Sequence, residues 1–297
     1  MIPTQASENL SIKFLNSHVR CVFLLLTVIG YCTIGISQSF INKTASSRAA
    51  LGITESKGYN FKIVDGQITS DSILAVTRKF NGKGFRTETC VYKGGTIRTT
   101  YQFGYENDTL LINLKTFKGP EKSFMAESIF EYDKNLRLVK QFDPDTENGP
   151  NLKTKNKYNK LGQRTRTTFK ARGRKLSDDR FKYNERGLKA ERISCVPTKE
   201  RFVYTYDDFD RLAQVHKVFK DRTKSLIEFY EYSDSTKITK HILHDTHTLT
   251  GINGAVRLSH SDVLTTEKVI GLGEQTLQET EYLNGRLNGF RKYYYRK

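Results

Sequence analysis

The sequence predicts an all-β fold, an antiparallel meander of repeated β-hairpins forming a twisted or curled sheet. Three observations carry that expectation. Aromatic residues alternate with polar ones, as in Phe181-Lys-Tyr183 and Tyr204-Thr-Tyr206. In a strand, that spacing puts both rings on one face. Turn residues follow at once, and a second alternating run begins behind them, as in Asn184-Glu-Arg-Gly187-Leu188. Finally, the phrase recurs. Its anchors Phe80, Tyr105, Tyr132, Tyr158, Tyr183, Tyr206 and Tyr232 are spaced by 25, 27, 26, 25, 23 and 26 residues. A period this narrow argues for a repeat array rather than scattered aromatics.

Residues 180–192, RFKYNERGLKAER, give the clearest copy. Asn or Asp at the first turn position bonds its own backbone, and Gly at the fourth tolerates a left-handed conformation. Together they specify a type I turn with a bulge. The copies are Phe130-Glu-Tyr132-Asp133 with Leu136 and Leu138, Tyr158-Asn159 with Gly162 and Arg164, and Tyr206-Asp207 with Asp210, Arg211 and Leu212. Looser copies are Phe103-Gly-Tyr105, Tyr230-Glu-Tyr232-Ser233, and Phe80-Asn81 with Gly84.

The remaining segments divide the chain of 297 residues. Residues 1–37 hold Lys13 and Arg20 before an uncharged run containing VFLLLTVIG. This reads as a signal peptide or, if retained, a single membrane anchor, and either sends the body out of the cytoplasm. Residues 38–58, rich in Ser, Thr and Ala without a clear period, read as a linker. Residues 59–243 are the expected hairpin array, starting with a hairpin that turns at Asp65-Gly66. Residues 244–297 break the pattern with Gly251, Gly254, Gly271 and Gly273, then end in a last hairpin.

These residues resemble the YD-repeat (RHS-type) family, whose signature is Tyr-Asp, a short turn and Gly-Arg-Leu. Tyr132-Asp133 and Tyr206-Asp207-Asp-Phe-Asp210-Arg211-Leu212 match it most closely, within residues 75–245. The resemblance implies a β-sheet ribbon on an exported or cell-surface protein. Large members coil into a shell around a toxin, and seven units read as too few to enclose a cargo. The tail, Tyr282-Leu-Asn284-Gly285-Arg-Leu287-Asn-Gly289 with Tyr293 and Tyr295, resembles a MORN-type variant repeat.

Charge suggests the partner. The formal net charge is +17, and +16 without residues 1–37, where Lys13 and Arg20 outweigh Glu8 by one. A basic surface favours acidic partners, and Lys also protects strand edges. Residues 153–175 hold ten basic side chains and no acidic one. Lys153, Lys155 and Lys157 share a strand face, and Arg164 with Arg166, then Lys170, Arg172 and Arg174, repeat that spacing. This stripe, on the face opposite Tyr158, is the candidate binding site for phosphates or acidic sugars. No RNA-binding aromatic motif accompanies it, so nucleic acid is not the expected partner.

Other chemistry is sparsely signalled. His241, His244 and His247, with Asp245 and His260, do not fit a zinc spacing, and no metal is expected. Cys90 and Cys195 lie four units apart, roughly 38 Å along a flat meander. A disulfide needs Cα atoms within about 7 Å. Either both are free, buried thiols, the favoured reading, or the sheet curls back on itself. No nucleophile elbow, phosphate loop or dinucleotide fingerprint is present, so no catalytic residue and no cofactor is expected.

The function expected from sequence is a non-catalytic binding or scaffold module of the cell surface or envelope. Its partner would be an anionic or carbohydrate polymer, or another surface protein. Contact with a membrane would run only through an uncleaved N-terminal segment. Two alternatives stand beside this: a toxin-inhibitor (immunity-type) binding partner, and an envelope polysaccharide hydrolase.

Overall fold

The structure, a computed structural model, describes residues 38–144, 152–196, 198–233, 237–243, 248–251, 254–257, 262–271 and 275–297. The expected leader, residues 1–37, lies outside the described residues. A helix α1 (Gln38–Ala50) precedes twenty strands. The chain forms hairpins β1 (Glu55–Val64) with β2 (Gln67–Phe80), β3 (Arg86–Lys93) with β4 (Thr96–Glu106), and β5 (Leu110–Lys118) with β6 (Ser123–Tyr132). Next come β7 (Leu138–Phe142) with β8 (Leu152–Tyr158), β9 (Arg164–Ala171) with β10 (Arg174–Tyr183), and β11 (Lys189–Ser194) with β12 (Glu200–Tyr206). Then follow β13 (Leu212–Val218), β14 (Lys224–Ser233), β15 (Lys237–Leu243), a separate hairpin β16 (Thr248–Gly251) with β17 (Gly254–Arg257), β18 (Val263–Ile270), β19 (Thr276–Leu283) and β20 (Arg286–Arg296).

Each strand pairs antiparallel with its neighbours, and β1 pairs with β2 on one side and β20 on the other. The result is a closed 18-stranded barrel. The antiparallel hairpin meander expected from sequence is therefore present, but it is not an open twisted sheet. Pairing of Glu55–Asn60 with Arg291–Arg296 removes both free edges, which a single-layer ribbon would otherwise leave unpaired.

The sequence period becomes a recurring structural rung. The anchors end the even-numbered strands β2 to β14, all at one rim. The hydroxyl of each anchor tyrosine donates to a backbone carbonyl at the start of the preceding strand. Tyr105 reaches Arg86 O, Tyr132 reaches Leu111 O, Tyr158 reaches Leu138 O, Tyr183 reaches Arg164 O and Tyr206 reaches Lys189 O, each at 2.8 Å. Tyr232 reaches Leu212 O at 2.9 Å, and Tyr295 on β20 reaches Thr276 O at 2.6 Å. Tyr295, not Tyr282, thus continues the series in the C-terminal part. Phe80 has no hydroxyl, and the Arg48 guanidinium of α1 covers its ring instead, 4.8 Å from the centroid.

The turns behind the anchors follow the expected chemistry. Asp133 Oδ1 accepts from Asn135 N at 2.9 Å and Arg137 N at 3.0 Å, and Asp207 Oδ1 accepts from Phe209 N and Arg211 N at 3.0 and 2.8 Å. Asn81, Asn159 and Asn184 accept in the same way from Phe85 N, Gln163 N and Leu188 N, each at 2.9 Å. The fourth turn position is left-handed at Gly84, Gly162 and Gly187, and also at Leu136 (φ 57°) and Asp210 (φ 61°), whereas the turn behind Tyr105 is left-handed at Asn107 and Asp108. At the opposite rim, Asp65-Gly66 makes the expected tight turn, with φ of 50° and 76°.

Cross-strand register separates two faces around the whole wall. One carries Tyr101, Leu114, Phe130, Phe202, Val215, Leu264 and Tyr293, all buried. Most of the wall's buried large apolar side chains lie on this face, with Phe290 buried on the other, so this face lines the barrel. The apolar cluster of Tyr101, Leu114 and Phe130 draws its neighbours, Val91, Phe103, Leu111, Tyr132 and Leu138, from adjacent strands of the same wall. Eighteen strands at about 4.8 Å close at a diameter of roughly 27 Å if circular, a size at which barrels keep a lumen. The outer face carries ion pairs such as Lys79–Glu88 at 3.0 Å, Lys122–Glu88 at 3.1 Å and Arg201–Glu191 at 3.0 Å.

Residues 38–58 are not a linker: they form α1 and open β1. The helix ends in a Schellman cap, with Gly52 at φ 66° and Ile53 N donating to Arg48 O at 2.9 Å. It docks where Arg48 Nη1 donates to Gly84 O at 2.9 Å and Ala45 is buried. A Cβ on Gly84 would stand 2.0 Å from the Ala45 carbonyl oxygen, so only glycine fits this approach. Weak local periodicity hid the helix because tertiary docking, not its own pattern, selects it.

Removing one rung, Tyr183→Phe, should lower unfolding free energy by about 1 kcal/mol in urea titrations. Leu136→Gly should instead raise it by up to about 1 kcal/mol, because Leu136 holds a left-handed conformation while 61% exposed.

Candidate functional site: the basic outer wall

The register sets the predicted basic residues in rows. Lys153 on β8 lies opposite Lys170 on β9, which lies opposite Lys175 on β10. Lys155 lies opposite Thr168, which faces Asp178. Lys157 lies opposite Arg166, which faces Arg180. Lys155, Lys157, Lys170 and Arg180 are exposed. Like charges directly opposed across strands repel, so this arrangement costs stability.

One carboxylate offsets part of the repulsion. Asp178 is the only acidic side chain on the outer face of these three strands among the described residues. Arg166 Nε and Nη2 donate to its two oxygens at 2.6 Å each, and Lys175 Nζ lies 3.3 Å away. The Arg166 hydrogen bonds outweigh the opposing effect of burial, and with Lys175 they hold the Asp178 carboxyl at about 2, below its usual 3.8. Arg166 is therefore committed to a structural pair rather than displayed.

The eight predicted residues do not form one stripe. Lys153, Lys155, Lys157 and Lys170 share the outer face and have no anionic partner among the described residues. Arg172 sits at φ 46° in the tight turn with Gly173, and Arg174 opens β10 at the same rim. Arg164 departs from the expected placement. The bulge beside Tyr158 turns it to the inner face, where its Cζ lies 5.1 Å from the Phe181 ring centroid. Sequence reasoning missed Arg180, whose place beside Arg166 depends on pairing between hairpins rather than on spacing along the chain.

Histidine and cysteine can be placed in part. His241 stacks on Phe229 with centroids 4.0 Å apart, and its ring nitrogens contact Thr265 Oγ1 at 3.0 Å and Glu231 Oε2 at 2.9 Å. His244, Asp245, His247 and His260 lie outside the described residues. Cys90 and Cys195 are both free. Cys90 is buried beside Thr100 Oγ1 at 3.7 Å, whereas Cys195 is only half-buried. Closure of the sheet thus leaves the two thiols unjoined.

Among the described residues, three carboxylates of the inner wall are held by neighbouring groups. Burial pushes the Glu279 carboxyl up, but Lys268 at 3.1 Å, the Tyr293 hydroxyl at 2.8 Å and Arg291 hold it below its ordinary value. Glu228 binds Lys240 at 3.0 Å and accepts from the Tyr230 hydroxyl at 2.8 Å. Asp143, pushed up by burial, accepts from Ser128 at 2.9 Å.

No family model matches the chain, and no curated protein matches its sequence. Among solved structures it is similar to the TcdB2–TccC3 toxin complex, with a TM-score of 0.33 and 10% identity over 75% of this chain and 13% of that one. It is similar to the Photorhabdus luminescens Tc holotoxin pore, with a TM-score of 0.32 and 10% identity over 76% of this chain and 13% of that one. The chain therefore spans only 13% of the length of these toxin chains. A porin-like protein from Bacteroides uniformis gives a TM-score of 0.32 and 8% identity over 82% of this chain and 98% of that one.

Asp178 has a folded-state pKa below its unfolded value, so its contribution is complete above about pH 4 and disappears as pH falls towards 2. Asp178→Asn should cost roughly 1–3 kcal/mol at pH 7. The gap between variant and wild-type unfolding curves should close over that acid window.

Proposed function

We propose that this protein is an exported, non-catalytic barrel whose outer wall binds an anionic polymer, a sulfated or carboxylated polysaccharide. The observation that carries the reading is the grid of Lys153, Lys155, Lys157, Lys170 and Arg180 across β8, β9 and β10, with Asp178 as its one acid. Side chains on one face repeat at about 7 Å along a strand and about 4.8 Å across strands, so an extended anion meets several cations at once. The outer face of these strands carries no aromatic ring on which a base could stack, which favours a polysaccharide over a single-stranded nucleic acid.

Export rests on the charge-flanked apolar run within residues 1–37. The YD-repeat resemblance fits the same setting. Its Tyr-Asp phrase corresponds here to a hydroxyl rung followed by an Asp-capped turn, as at Tyr206 and Asp207. A second reading, binding to another surface protein such as a toxin, is favoured by one rim. There Leu136, Leu161 and Phe209 project from three hairpin turns at 61%, 83% and 78% exposure.

Full-length protein on immobilised heparin tests the first reading. Lys153, Lys155, Lys157 and Lys170 changed together to Glu should elute at markedly lower salt than wild type, with the melting curve retained. Elution at the same salt would reject the outer wall as the binding site.

A further inference from the structure

The inner wall of β9 to β12 carries a second group of cations, on the opposite face from the basic grid. Here cations and rings alternate across the strands. Phe181 on β10 lies opposite Arg192 on β11, which lies opposite Phe202 on β12. Tyr183 lies opposite Lys189. Arg192 Cζ is 4.3 Å from the Phe202 centroid, Lys189 Nζ is 4.0 Å from the Tyr204 centroid, and Arg164 stacks on Phe181.

Positive charge is in excess here. Neither Lys189 nor Arg192 forms an ion pair among the described residues, and Arg192 Nε is buried without a hydrogen-bond partner. Two carboxylates face Lys189, Asp179 from β10 and Glu228 from β14, and Glu228 is already held by Lys240 and Tyr230. Burial first, then repulsion from Arg192 and Arg164, pushes the Lys189 amine down to about 8. A buried donor without an acceptor beside a crowded ammonium is an arrangement that an added anion would relieve.

We propose that Arg192, Lys189 and Arg164 form an oxyanion site on the inner wall, taking the sulfate, phosphate or carboxylate group of a small molecule that enters the barrel. Arg192 Nε supplies an unused donor, and the Lys189 ammonium can turn its three hydrogens towards the same group. The rings of Phe181, Phe202 and Tyr204 supply apolar walls for whatever bears the anion. The site uses none of the outer-wall lysines.

Inorganic sulfate is the probe, because its charge is constant above pH 3, and calorimetry on the full chain is the readout. Lys189→Met and Arg192→Gln should each weaken sulfate binding at least tenfold at pH 7. Lys189→Met should hold or raise Tm at pH 7, because burial of a charged amine is removed, so its lost binding is not unfolding. Wild-type affinity should fall between pH 7 and 9.5 as Lys189 loses its proton, while Lys189→Arg stays flat. The other charged groups that face Lys189 are Asp179, Glu228, Arg164 and Arg192, and the neighbouring Tyr183, Tyr204, Tyr206 and Tyr230 hydroxyls, all pushed up by burial, stay neutral over that range. Wild-type affinity retained in Lys189→Met and Arg192→Gln would overturn the site. So would loss of sulfate binding in the outer-wall Lys→Glu variant, because the ion would then belong to the outer grid.

Discussion

The architecture depends on one hydrogen bond made repeatedly, from an anchor tyrosine hydroxyl to the first carbonyls of the preceding strand. A hairpin specifies its own register through its turn. A turn, however, holds a strand pair only at one end. The hydroxyl clamps the other end, since from the last residues of one strand it reaches the first carbonyls of its partner, at Arg86, Leu111, Leu138, Arg164, Lys189 or Leu212. A slip of one residue would turn every ring outward, and each rung opposes the slip. A bulge lies beside Tyr105, Tyr132, Tyr158, Tyr183 and Tyr206, whereas Tyr232 makes its rung without one.

The same alternation divides charge between two surfaces of one wall. Outside, cations meet carboxylates in water, as at Lys79, Glu88 and Lys122, where each pair contributes little alone. Inside, cations lie over rings, as at Arg164, Lys189 and Arg192, where solvent is scarcer and an unpaired donor costs more. The outer grid of β8 to β10 and the inner cluster of β9 to β12 are thus back to back on shared strands, yet their chemistry differs.

Much of the hairpin was legible because its signals are local. Phe-x-Tyr, the Asx residue and the left-handed fourth position all lie within about ten residues, and each has a physical reason at that spacing. Long-range facts were not legible. Closure joins Asn60 to Arg291, and no local pattern announces a partner so distant. Arg164 was assigned to the outer stripe because alternation was counted through a bulge that reverses it. Tyr282 stands 50 residues, two periods, after Tyr232, yet Tyr295 makes the rung, because the inserted β16–β17 hairpin upsets the count. Helix α1 was invisible for the opposite reason, since its fit depends on a glycine more than thirty residues away.

The meeting of β1 with β20 also governs the order in which the molecule assembles. Most strand pairs join segments that are neighbours in the chain and can zip as they appear. Asn60 and Arg291, by contrast, are 231 residues apart, so this seam pays the largest loop-closure entropy and forms late. Until then the growing sheet has two sticky margins. Two partly finished copies could satisfy each other there, the first strand of one with the last of the other, and an interlocked dimer is the kinetic hazard that this topology carries.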